Sequence, residues 1–83
     1  MDGRRYKKLI GKMVEMEWRD PAGFINEEMN VVKLADCTSW GILKKIDNDS
    51  IVLQTSVYKN SEYGDYTIVT LGCVTALRAY RKR

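Results

Sequence analysis

Eighty-three residues, 45% of them apolar and 30% charged, make a chain long enough for one small core and too short for several. At this size folding hides only about 60–65% of the unfolded surface, so the stability margin is thin and oligomerisation is a common remedy. No stretch approaches the roughly 18 apolar residues of a membrane span, and a chain without histidine lacks the commonest general base and the commonest transition-metal ligand. No nucleophile–base pair can be named, no cofactor is implied, and the expectation is a non-enzymatic protein without membrane association. The polar start Asp2-Gly-Arg-Arg-Tyr-Lys-Lys8 lacks the apolar centre of a signal peptide, which points to the cytoplasm, of a cell or of an infected cell. There Cys37 and Cys73 are expected as two half-buried thiols without a disulfide.

The net charge of +3 is unevenly spread. Residues 1–12 carry five basic groups and one acid, residues 78–83 carry four basic groups and no acid, and the middle is left at −5. An acidic body thus has two basic ends.

In chain order, Arg4–Ile10 reads as a short helix with Tyr6, Leu9 and Ile10 on one side at i, i+3, i+4 spacing. Gly11 ends it. Met13–Arg19 alternates Val14, Met16 and Trp18 with Glu15, Glu17 and Arg19, the pattern of a half-buried strand with a charged outer face. Asp20-Pro-Ala-Gly23 is a turn by composition. Phe24–Leu34 fits a long loop, a helical turn from Asn26, or a loop ending in a strand at Val31–Leu34. The whole segment 20–36 is read as a long insertion in a single domain spanning 1–83, and such loops often carry function.

Asp36–Ile46 is the second strand, with Gly41 marking a bend or a close backbone approach. Asp47-Asn-Asp-Ser50 is the strongest turn signal in the chain, because short Asp and Asn side chains bond neighbouring backbone groups. Ile51–Tyr58 follows as strand three, Lys59–Asp65 as a polar loop, Tyr66–Leu71 as strand four, and Cys73–Tyr80 as strand five after Gly72. Five short strands at regular spacing predict a mainly β fold closed into a small, bent barrel with a short N-terminal helix.

That order of parts resembles the Sm-like, SH3-like barrels. The resemblance rests on a helical turn before Gly11-Lys-Met-Val14, on Gly41, Asp47 and Ile51-Val-Leu53 in the layout of the first Sm motif, and on Thr70-Leu-Gly-Cys-Val-Thr-Ala-Leu77 in that of the second. It covers residues 4–20 and 37–80. The segment Cys37-Thr-Ser-Trp-Gly-Ile-Leu43, the acidic turn and Leu71-Gly-Cys-Val74 are similar to small Sm-like proteins common in bacteriophage genomes. The likeness implies a ring in which edge strands four and five pair between subunits, and RNA as a partner. Ser50 and Leu71 stand where the family has its base-contacting asparagine and its arginine, so the family's uridine pocket is not implied.

Three surfaces emerge as candidates. Arg4, Arg5, Lys7 and Lys8 with Arg78 and Arg81, interleaved with Tyr6 and Tyr80, make a nucleic-acid patch if the two ends converge, and solvated termini if they do not. Trp40, Tyr58, Tyr63 and Tyr66 offer a stacking surface for bases, a nucleotide or a host protein, against which stand plain hairpin packing and subunit contacts. Asp47 and Asp49 are better explained by turn chemistry than by a metal. The alternative function is a phage-encoded interaction module acting on a host protein or a nucleotide signal through 20–36 and the tyrosines.

Overall fold

In the computed structural model, which describes residues 3–20, 35–59 and 63–81, the first element is a 3-10 helix, η1, at Gly3–Leu9. It has three residues per turn, so Gly3, Tyr6 and Leu9 share one face. That face is the one turned inward: Leu9 is buried and Tyr6 packs against the core. The 3.6-residue spacing expected from the sequence would have added Ile10 to it. Instead Ile10 is 46% exposed, because the tighter winding carries it round to the outside. Gly11, at φ +88°, turns the chain out of the helix in a conformation that other residues rarely adopt. Its N–H donates to Leu43 O at 2.8 Å.

Five strands follow: β1 Met13–Asp20, β2 Ala35–Ile46, β3 Ser50–Val57, β4 Gly64–Thr70 and β5 Val74–Ala79. They form one antiparallel sheet in the order β4-β3-β2-β1-β5. The β1–β2 ladder runs out to Asp20 opposite Ala35, so the expected insertion is shorter than 20–36: Asp20, Ala35 and Asp36 belong to strands. The possible helical turn from Asn26 and strand at Val31–Leu34 lie outside the described residues. Strand three stops one residue before Tyr58, and strand four begins at Gly64 and ends at Thr70. Among the described residues β4 and β5 do not pair, so the sheet is not closed by a ladder between its edges.

Alternation sorts the side chains. Val14 and Met16 on β1, Leu43 on β2, and Ile51 and Leu53 on β3 are fully buried, joined by Ile46, Val69, Val74 and Leu77. Their neighbours in sequence face the other way. One irregularity explains a break in the pattern: the β2–β3 register slips between Leu43 and Lys45. The bulge takes up one residue, so Lys44 and Lys45 both stay exposed and Ile46 returns to the core. Gly41 is needed where β2 meets β3, since a Cβ there would stand 2.7 Å from Gln54 O. A 3-10 turn, η2 at Leu71–Cys73, joins β4 to β5, and the Leu71 N–H donates to Asp49 O at 2.8 Å. This bond ties the β4–β5 corner to the β2–β3 turn.

Cys37 and Cys73 are both free and half-buried. No helix among the described residues is long and apolar enough to cross a membrane.

Candidate nucleic-acid interface

Anchoring one face of η1 leaves two for the solvent. Arg4 eclipses Lys7 on one and Arg5 eclipses Lys8 on the other, all four exposed. A 3-10 rise of about 2 Å per residue sets successive cations of each row about 6 Å apart along the axis. The Arg5 guanidinium lies 5.9 Å from the Tyr6 ring centroid, within the range in which a ring face attracts a cation. The helix packs against β2 and β5. Arg81, just beyond β5, is exposed as well.

Arg78 does not join them. On β5 it stands directly opposite Glu15 of β1, and its guanidinium reaches Glu15 Oε2 at 2.8 Å and Glu17 Oε1 at 3.0 Å. Hydrogen bonds to Glu17 and Glu15, with their charges, push its already high pKa further up. The group is occupied by two carboxylates and acts as a clasp between β1 and β5. Sequence reasoning missed these partners. Only the β1–β5 register, which joins residues more than sixty apart, makes them neighbours.

A shallow cleft of about 150 Å³ lies between η1 and the β2–β3 turn, lined by Gly3, Arg4, Lys7, Ile46, Asp47 and Asn48. Its acidic wall is fixed. Asp47 Oδ1 accepts hydrogen bonds from the N–H groups of Asp49 (2.8 Å) and Ser50 (2.9 Å), while Oδ2 lies 3.4 Å from Lys45 Nζ. The amides of Asp49 and then Ser50, with Lys45 as a smaller cause, hold this carboxyl below its usual range. Both lone-pair sets of Asp47 thus serve the turn, and among the described residues no group of three or more potential ligands could hold a metal.

The aromatic candidates divide. Tyr58 and Tyr63 flank the β3–β4 loop, the Tyr58 N–H donating to Tyr63 O at 2.9 Å, and Tyr66 lies on β4 of the same hairpin. Trp40 sits apart. The β2–β3 register ends at Ile42 opposite Gln54, so the paired neighbour of Trp40 is Glu15 on β1. All four are exposed. A second cleft, of about 310 Å³, lies at the distal end of β1 and β2 between Trp18, Cys37, Thr38 and Thr75, with the Arg19–Asp36 ion pair at 3.2 Å on its rim.

The sequence matches no protein-family model, and no curated protein or solved structure matches it.

Proposed function

We propose that this protein is a non-enzymatic, Sm-like small barrel of the cytoplasm that binds single-stranded nucleic acid through η1 and self-associates through the edges of its sheet. The barrel reading is supported by the short helix at the start, the return of β5 to β1, and the single 3-10 turn between β4 and β5. The observation that carries the binding surface is the face division of η1: Tyr6 and Leu9 hold the helix to the body while Arg4, Lys7, Arg5 and Lys8 line its two outer faces. Fixed cations lose less freedom on meeting phosphate than cations on a frayed end, and each phosphate neutralised releases counterions. Arg81 extends the patch; Arg78 contributes structure only.

Binding of a short fluorescent RNA, titrated with salt, tests the reading. Five neutralised phosphates, Arg81 included, predict a slope of log K against log salt of about −3.5, and each cation removed reduces it by about 0.7. The pair Arg5→Gln and Lys8→Gln should therefore flatten the slope by about 1.4 and weaken binding, whereas Arg81→Gln alone should change it by about half as much. A slope near zero for the unmodified protein would sink the proposal.

A further inference from the structure

We infer that the protein pairs with a second copy of itself along β4, edge to edge and antiparallel, about a two-fold axis at Thr67. The inference rests on the reading above that sheet edges pair between copies, and narrows it to one strand and one register.

Antiparallel ladders alternate between residue pairs that exchange hydrogen bonds and pairs that do not. Leu71 N–H bonds Asp49 O, and this pair continues the register of Ser50 with Thr70, Ile51 with Val69 and Leu53 with Thr67. Alternation from it directs the backbone groups of Val69 and Thr67 toward β3. Those of Thr70, Ile68 and Tyr66 then point outward, away from the sheet. Past the irregularity between Gln54 and Ser56, the bond from Tyr58 N–H to Tyr63 O sets the phase again, and Gly64 also points outward. The outer edge of β4 is thus an unbroken row of donors and acceptors from Gly64 to Thr70.

Among the described residues nothing guards that edge. Natural sheets protect edges with lysine, proline or inward charge. The exposed side chains of β4 are Asp65, Tyr66, Ile68 and Thr70. The one charge among them is already engaged, since Ser56 Oγ donates to Asp65 Oδ2 at 2.6 Å. Ile68 is 68% exposed and Tyr66 47%.

The choice of partner strand follows from which face those outward groups belong to. Tyr66, Ile68 and Thr70 carry exposed side chains. On the opposite edge the phase is reversed. Tyr80 N–H bonds Met13 O, so Arg78 and Ala76 turn their backbone groups toward β1, and Leu77 and Ala79 turn theirs outward. Leu77 is a core residue. An antiparallel β4–β5 ladder between copies would set Ile68 in register with a core-facing side chain and run the outer face of one sheet into the inner face of the next. β4 against β4 has no such conflict. In the full-length register Gly64 faces Thr70 of the second copy and Tyr66 faces Ile68. Aromatic–β-branched neighbours of that kind are favourable cross-strand pairs. About eight backbone bonds form, and a ten-stranded sheet results.

Light scattering on the purified full chain should give the mass of two chains. Ile68→Lys places the residue that guards natural edges on this one, and Ile68→Pro removes only an outward N–H; both should give monomers with unchanged far-UV circular dichroism. Thr67→Cys should form an intermolecular disulfide on mild oxidation, because the residue meets its own copy at the axis, while the unmodified protein under the same oxidant should not. A monomer at every concentration would overturn both this inference and edge association, leaving nucleic-acid binding to its own salt titration. An assembly larger than two, or one indifferent to Ile68→Lys, overturns the β4 axis alone and leaves association through another edge standing.

Discussion

At the scale of single residues, Asp47 organises the most. Its carboxylate takes two backbone amides inside one turn, and the turn receives the Leu71 N–H through Asp49. Asp47→Asn keeps an acceptor oxygen and loses the charge. Because the folded-state pKa lies below the unfolded one, the charge contributes stability fully above the ordinary carboxylate range, and that contribution disappears as pH falls through the folded value. The melting temperature of the Asn variant should therefore lie below that of the parent at pH 7 and converge on it as pH falls below the ordinary carboxylate range. A gap independent of pH would assign the effect to geometry alone. The turn was legible in the sequence because its chemistry is local, and so was the tight approach at Gly41, where no side chain fits. The Glu15–Arg78–Glu17 clasp was not, since its three members meet only through a ladder between distant strands.

At the scale of elements, the difference between three and 3.6 residues per turn decides the character of the N-terminal helix. A spacing of Tyr6, Leu9, Ile10 suits an α-helix as well as sequence alone can judge, yet a seven-residue helix has little cooperativity of its own, and packing chooses its winding. Leu9→Ala should cost about 2–4 kcal/mol in urea denaturation. Ile10→Ala, on an exposed side chain, should stay within about 0.5 kcal/mol. Equal costs would restore the α-helical face. The same reasoning covers the strands. Alternation was readable along β1, whereas β4 turns its apolar Tyr66 and Ile68 outward and the bulge at Lys44 hid the true phase of β2 behind two lysines. What no local pattern could reveal is which way edge amides point, because that depends on the neighbour each strand acquires.

At the scale of the molecule, the distribution of charge follows the topology. Most of the acidic middle that the structure describes lies in the sheet, and the basic η1 lies against β2 and β5. The aromatic candidates fare differently: three tyrosines gather on one hairpin, and Trp40 is left with β1.

The pairing of Asp20 with Ala35 has a consequence for how the chain could be rewired. The β1–β2 ladder is paired from Met13 with Ile42 to Asp20 with Ala35, enough that its register should survive a break between 21 and 34. A chain opened within 21–34, with a glycine-serine linker joining residue 83 to residue 1, would start on β2 and finish on β1. Such a permutant should fold to the same sheet, with a circular dichroism spectrum like the parent's, since loop-closure cost grows only slowly with loop length. It would also put Arg78–Arg83 and Arg4–Lys8 on one continuous stretch of chain, held at one end by β5 and at the other by Leu9. If it bound RNA with the salt slope of the parent, the order of the two basic runs along the chain would be immaterial to binding.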